Sequence, residues 1–317
     1  MGRADSYSQP EAPDPILPDA LVLELARAHL PRSVQVQEVV EVDESGGEAR
    51  VYVLGGGVVV KTQRPHRLRP RTGLVKEAAI LTALAGPLRG RIPVVFGYQQ
   101  TDTDVGPVEL IVMSQVAGSA ARNRHLVEAA RADVLHDVAT VLRAVHALDP
   151  GGLQRAGLLP TDGDAAALRR RVERNLGDLI DHFDAQPEAW SLSISPAQVA
   201  AAAVDSLPAR LSTRPVVLHS NPGPTHVFVG EDCAFTGLID FGDAYASHPT
   251  LDLKSWPDPE DRVLLRGAYL AGDAADTEFD AVWTVAMLQA DMNAIATQSP
   301  EVAGRAGADL TARLHRL

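Results

Sequence analysis

The strongest constraint on this chain's fold is a change of hydrophobic period part-way along it. Up to about residue 113 the apolar residues, mostly valine, fall in short runs bounded by glycine. Val34, Val36, Val39, Val40 and Val42 interleave with Gln35, Gln37, Glu38 and Glu41, and Ser45-Gly46-Gly47 ends the run. Ala49 to Leu54 makes a second run, Gly55-Gly56-Gly57 a turn, and Val58 to Lys61 a third. Short β-branched runs this close together predict an antiparallel meander. Pro93 to Phe96 and Val108 to Met113 predict two further strands, and Leu74 to Leu84 has helical spacing. The first third of the chain therefore reads as a sheet of about five strands with one helix inserted after the third.

From about Gly118 the period lengthens. Leu135, Val138, Leu142 and Val145 recur at i, i+3, i+7 and i+10, which lines one helical face. Ala165 to Phe183 predicts a second long helix. Ser195-Pro196-Ala197-Gln198 is a capping-box pattern with proline at the first helical position, opening a helix that runs to about Leu207, ahead of Pro208. Arg214 to Leu218, His226 to Val229 and Gly237 to Ile239 predict short strands, and helices fill the C-terminus. A short helical pattern also spans Leu21 to Leu30. The fold class is α+β, in two lobes: a small β-rich lobe over 19–116 and a larger helical lobe over 117–317. Residues 1–18 are polar and carry Pro10, Pro13, Pro15 and Pro18, which predicts a disordered tail. Two lobes of this kind enclose a cleft, where ligands are expected.

Composition narrows the function. The 317 residues are 45% hydrophobic but only 4% aromatic, so the core is aliphatic. A formal net charge of -12 argues against a nucleic-acid partner, which selects a basic face. It also allows an acidic cleft that attracts a cationic small molecule. Cys233 is the single cysteine, so neither an internal disulfide nor a cysteine zinc cluster can form, in keeping with a cytoplasmic protein. Cys233 itself falls in a turn and reads as a bystander. No charged start leads into an apolar run, and no stretch approaches the roughly 20 apolar residues that span a membrane.

The chemistry concentrates late. Val217-Leu218-His219-Ser220-Asn221-Pro222-Gly223-Pro224-Thr225-His226-Val227-Phe228-Val229 is followed by Thr236-Gly237-Leu238-Ile239-Asp240-Phe241-Gly242-Asp243-Ala244. Asp240 ends an apolar strand, where an unpaired carboxylate is costly to bury. This pair of segments resembles the aminoglycoside phosphotransferase superfamily, of kinase-like fold. There a His-Gly-Asp loop supplies a catalytic Asp, a metal ligand follows five positions on, and an Ile-Asp-Phe strand end carries a magnesium-binding Asp. The spacing suits phosphoryl transfer, which needs an acceptor hydroxyl in line and phosphate charge neutralised by metal.

The resemblance covers about residues 35 to 295 and implies roles residue by residue. Asp240 and His226 would hold Mg2+. His226 replaces the usual Asn, as in the macrolide phosphotransferases. His219 would be structural, and Asp252 would support the loop or cap a helix. Val58-Val59-Val60-Lys61 resembles the strand carrying the phosphate-binding Lys, with Glu77 on the next helix as its ion-pair partner. Gly46 and Gly47 lie where a loop would cover the phosphates of ATP or GTP. Met113 and Gln115, in Met113-Ser114-Gln115-Val116, would form the connection whose backbone meets the adenine edge. Ala144-Val145-His146-Ala147-Leu148-Asp149 reads as structural.

Asn221 departs from the pattern, since it stands where the family has its catalytic Asp. It can orient a hydroxyl but cannot accept its proton, a service worth about 10²- to 10⁴-fold. Three explanations stay open: a natural pseudokinase, an active variant of different mechanism, and an engineered change in an active enzyme. The leading expectation is an ATP-dependent kinase of a small-molecule hydroxyl, such as an aminoglycoside or macrolide, serving resistance or biosynthesis. Asp243, Asp258, Glu260, Asp261, Glu278 and Asp280 are candidates to hold a cationic acceptor. The alternatives are a kinase of a precursor peptide and a nucleotide-binding pseudokinase acting through a partner.

Overall fold

The computed structural model describes residues 7–103 and 106–317. In chain order the first elements are α1 (Asp19–His29), β1 (Val39–Asp43), β2 (Ala49–Leu54), β3 (Val58–Gln63), α2 (Leu74–Leu84), β4 (Val95–Thr103), β5 (Gly106–Ser114) and β6 (Ser119–Ala120). There follow α3 (Glu128–His146), α4 (Pro150–Arg155), α5 (Ala165–Ala185), α6 (Pro196–Asp205), β7 (Val216–Leu218), β8 (Val227–Val229), β9 (Phe235–Leu238) and β10 (Tyr245–Ser247). Helices α7 (Pro259–Leu270), α8 (Thr277–Thr297) and α9 (Pro300–Leu314) close the chain. These elements form two compact units. One contains the described residues up to Asn123 together with Gly151–Pro160 and His226–Tyr245; the other contains Arg124–Pro150, Thr161–Thr225 and Ala246–Leu317.

The first unit is built on an antiparallel sheet of order β1-β2-β3-β5-β4. A three-residue turn, Gly55 to Gly57, joins β2 to β3. Gly56 and Gly57 both have positive φ, 80° and 71°, a backbone that glycine adopts without steric cost. Side chains alternate across β2, so Arg50, Tyr52 and Leu54 face one side and are buried there. Tyr52, Leu54, Val58 and Val60 join Val22 and Ala26 of α1 in an aliphatic core. Lys61, one residue out of phase with Val60, faces the opposite side.

Two expectations are corrected here. The N-terminal segment read as a disordered tail is bonded to the rest of the first unit from Ser8 onward, and Asp14 and Leu17 reach β2. Ser8 N–H donates to the Leu68 carbonyl, the Leu17 N–H donates to the Tyr52 hydroxyl, and the Leu17 side chain is 2% exposed. Asp14 accepts from both Arg50, at 3.1 Å, and Arg64, at 2.8 Å. Burying Leu17 contributes about 2 kcal/mol, and Asp14 supplies the counterion that two buried guanidiniums demand. Residues 1–6 of that segment lie outside the described residues. The second correction concerns the first predicted strand. Only Val39–Asp43 pairs with β2. Val34 closes a turn onto Pro31, and the Val36 carbonyl is taken by the Arg27 guanidinium, so this part of the run turns under α1 instead of extending the sheet.

Strands β6, β8 and β9 form a three-stranded sheet in the same unit. Gly118 precedes it with φ 88°, and a Cβ there would lie 2.0 Å from the Val229 carbonyl oxygen, so only glycine fits.

The second unit is helical. Val134, Leu135, Val138, Val141, Leu142 and Val145 of α3 are all buried. Helix α8 is buried on most sides, with Val282, Trp283, Val285, Met287 and Leu288 all inside, and packs on α5, α6 and α9. The capping box at Ser195 is formed as the sequence specifies, with Gln198 N–H on Ser195 Oγ and Ser195 N–H on Gln198 Oε1.

Candidate active site

In the first unit, strand register assembles a charged cluster. Val227 of β8 pairs with Leu238 of β9, so His226, just before β8, lies beside the residues just after β9. The Ile239 N–H donates to the His226 carbonyl. Asp240 follows with φ 72°, a left-handed backbone uncommon for a residue with a side chain. His226 Nε2 and Asp240 Oδ2 are thereby 3.2 Å apart.

Lys61 reaches the same carboxylate from β3. Its Nζ lies 2.6 Å from Asp240 Oδ1 and 2.8 Å from Glu77 Oε2. Glu77, on α2, is fully buried, and its other oxygen accepts the Phe241 N–H. Burial alone would lower the Lys61 pKa, but the Asp240 and Glu77 carboxylates outweigh it and raise it, so the ammonium stays charged. Burial raises the Glu77 carboxyl, Lys61 opposes it, and Asp240 adds to the rise.

This pair of metal-ligand types passes a simple test of fit. Two neighbouring ligands on one ion at about 2.1–2.3 Å lie about 3 Å apart, close to the separation of His226 Nε2 and Asp240 Oδ2. Among the described residues no group of three or more His, Cys, Asp or Glu side chains is arranged for a metal. A divalent ion here would complete its shell from phosphate oxygens and water, as Mg2+ commonly does.

The remaining expected nucleotide contacts are placed as follows. Gly46 and Gly47 lie in the bend between β1 and β2, and neither has positive φ. Met113, near the end of β5, is paired with Val59 and Val95. The Gln115 N–H donates to the Gly57 carbonyl at 2.8 Å, so that donor is already committed within the protein.

The second unit holds the His219–Asn221 loop, directly after β7. Asp252 secures it: Oδ2 accepts the His219 N–H and Oδ1 the Ser220 N–H, each at 2.8 Å. Asp252 is fully buried and also faces His146 Nε2 at 3.1 Å. A carboxylate only accepts, so this nitrogen carries the proton, and in the neutral ring His146 Nδ1 accepts from the Tyr269 hydroxyl at 2.8 Å. Ser220 has φ 86°, the left-handed region, at the position where the resembling loop has glycine. Asn221 N–H donates to His219 Nδ1. Beyond it, Trp256 Nε1 donates to the Pro222 carbonyl, and a Cβ on Gly223 would lie 2.5 Å from the Ser255 oxygen. Residues 252–256 thus fix the loop from His219 to Gly223.

The acidic residues expected to receive a cationic acceptor have partners within the protein. Asp243 is bound by Thr72 and Arg69. Asp258 caps α7 and pairs with Arg305. Asp261 faces Arg131, and burial pushes its carboxyl up to about 6. Glu260 lies 3.8 Å from the same arginine. Asp280 pairs with Arg266. Burial alone would raise Glu278, but bonds from Ser212 and Thr213 bring it down to about 2. Each of the six therefore has a partner within the protein, while the Glu260 and Asp280 side chains stay exposed. Sequence reasoning missed Arg69, Thr72 and Lys76, whose contacts with residues 243–244 leave no local sequence pattern.

The phosphotransferase enzyme family matches the chain over residues 39–291. The chain belongs to this family. The curated proteins include no match to it. Among solved structures, a macrolide 2'-phosphotransferase, MphH from Brachybacterium faecium, is 20% identical, with 92% of this chain and 97% of that one covered at a TM-score of 0.54. The GDP complex of aminoglycoside 2'-phosphotransferase-IIIa is 17% identical, with 95% and 99% covered at 0.60. A ternary complex of APH(2")-IIa with streptomycin and ATP is 16% identical, with 86% and 91% covered at 0.55. The kinase-like α+β fold expected of the sequence is the fold of this family member. Among its described residues no helix is long and apolar enough to cross a membrane.

Proposed function

We propose that the protein transfers the terminal phosphate of ATP, or of GTP, to a hydroxyl of a small molecule in the cytoplasm. An antibiotic such as an aminoglycoside or macrolide is the leading acceptor. The observation that carries this reading is the cluster of Lys61, Glu77, His226 and Asp240 in one unit. In this reading residues 19–116 bind the nucleotide, with Gly46 and Gly47 over its phosphates and Met113 and Gln115 beside the purine, the Gln115 N–H staying on the Gly57 carbonyl. Residues 117–317 supply the loop and the acceptor site. Lys61, kept charged and oriented by Glu77, neutralises phosphate. His226 and Asp240 hold Mg2+, which supplies further charge neutralisation when bound. His219 and Asp252 set the backbone that presents Asn221 to the acceptor hydroxyl. Asp243, Asp258, Asp261, Glu278 and Asp280 each have a partner within the protein, so neutral hydroxyl compounds belong in the test beside cationic ones.

Asn221 favours a second reading, a nucleotide-binding pseudokinase acting through a partner, because its amide cannot take the hydroxyl proton. The deciding experiment compares transfer from Mg-ATP to a panel of antibiotics by the wild type and by Asn221→Asp. Turnover by both supports positioning-led catalysis. Turnover by the variant alone identifies the substrate and marks the wild type as disabled at its base. ATP binding with no turnover by either moves the weight to the pseudokinase reading, and no nucleotide binding sinks both.

A further inference from the structure

The four residues after Asp240 are each bonded to residues 69–77, the segment leading into α2 together with its first turn. Phe241 N–H donates to Glu77 Oε1 at 3.3 Å. Gly73 N–H donates to the Gly242 carbonyl at 3.2 Å. The Asp243 carboxylate accepts from Thr72 Oγ1 and, at 2.9 Å, from Arg69. Lys76 Nζ donates to the Ala244 carbonyl at 2.7 Å. Residues 69–77 therefore hold the loop that must keep Asp240 at its left-handed φ of 72°. Such a conformation persists only where its surroundings over-determine it.

Arg69 does more than close this latch. The same guanidinium pairs with Glu48, just before β2 at the end of the bend that carries Gly46 and Gly47. One side chain thus ties the β1–β2 bend to the loop of Asp240. Lys76, 2% exposed, has its pKa lowered to about 8 by burial, as a cation held chiefly by backbone carbonyls must.

The geometry points to Asp243, with Thr72 and Arg69, as the positioning element for the metal-binding carboxylate: it holds Asp240 in place for a divalent ion and couples that loop to the β1–β2 bend. The inference rests on the reading of Asp240 as a metal ligand. In this role Asp243 acts through Asp240, its own carboxylate being bound by Thr72 and Arg69. Its loss weakens the contribution of the metal to nucleotide binding and leaves metal-independent contacts intact.

The test uses the full chain and the non-hydrolysable analogue AMP-PNP. Calorimetry gives its dissociation constant in Mg2+ and in EDTA for the wild type, Asp243→Ala, Thr72→Val, Thr72→Ser and Arg69→Gln. Amide hydrogen exchange of peptides spanning residues 238–246 is followed without ligand. The expected result is that Asp243→Ala and Thr72→Val reduce the strengthening by Mg2+ about tenfold, the usual effect of losing a residue that orients a metal ligand. Affinity in EDTA stays unchanged, exchange across the loop accelerates, and Thr72→Ser restores both readouts. Unchanged Mg2+ dependence overturns the inference, as does an equal loss with and without Mg2+, which is what general unfolding gives. A wild type that fails to bind AMP-PNP in either condition overturns the phosphotransferase reading instead, and the exchange data then decide whether the latch holds the loop.

Discussion

Lys61 Nζ lies 2.6 Å from Asp240 and 2.8 Å from Glu77, one ammonium between two carboxylates of which the second is fully buried. Removing the cation leaves two acidic groups facing each other, one with no access to water. Lys61→Met is therefore expected to destabilise the fold by about 3–5 kcal/mol, the range for breaking a buried pair from one side. The deficit depends on pH. Without Lys61, Glu77 has a folded pKa still further above its unfolded one, so stability falls as pH rises between the two values. Urea unfolding at several pH values checks this: the difference from wild type should be smallest in acid and grow towards neutrality.

Asp252 joins three donors, the amides of His219 and Ser220 and the ring of His146. Asp252→Asn keeps the shape but puts an amide NH2 against one of those N–H groups. Hydrogen bonds to charged groups contribute about 1.5–3 kcal/mol, and a buried donor left unmet adds a desolvation cost. A loss of about 3 kcal/mol in the urea unfolding free energy is expected, with faster amide exchange confined first to residues 218–223. A loss below about 1 kcal/mol would show that the loop is held by Trp256 and Gly223 instead.

How much of this was open to sequence reading follows from where the information sits. The Gly55-Gly56-Gly57 hairpin, the Leu74–Leu84 helix and the Ser195 capping box are local, because each is dictated by residues within a turn of one another. The run from Val34 misleads because its alternation is real, but the Arg27 side chain takes the carbonyl of Val36. Residues 7–18 look disordered by composition. What docks them is Asp14 meeting Arg50 and Arg64, pairs separated by 36 and 50 residues that no local pattern announces. Lys61 and Asp240 are 179 residues apart, and only the family resemblance singles them out together. The latch of Arg69 and Thr72 on Asp243 has neither a local pattern nor a motif, so it is visible only in the structure.

Ser220 occupies a backbone conformation, φ 86°, that costs a residue with a side chain about 1 kcal/mol or more. Ser220→Gly removes that strain at the expense of a more flexible unfolded chain. The net expectation is a gain of about 0.5–1 kcal/mol, with Ser220→Val losing more than this because β-branching worsens the clash. Thermal unfolding of the three proteins gives the order Gly, Ser, Val from most to least stable if the strain is real. Equal stability of the serine and glycine forms would mean that the Ser220 hydroxyl compensates locally.

His248 sets the acid limit of the second unit. It is buried, its Nδ1 accepts the Thr250 N–H, and its Nε2 has no hydrogen-bond partner. Burial lowers its pKa to about 4, against the opposing pull of Glu278 and Asp276 and with a small further push from His146. A base whose folded pKa is depressed binds protons more readily when unfolded, so its stability contribution is complete above the unfolded value of about 6.5 and is lost as pH falls towards 4. Over that window the cost reaches about 3 kcal/mol at 1.36 kcal/mol per unit. His248→Asn keeps an acceptor for the Thr250 N–H and removes the titration. Urea midpoints measured at pH 7.5 and pH 5 should fall on acidification in the wild type and fall much less in the variant. The same drop in both would place the acid sensitivity elsewhere.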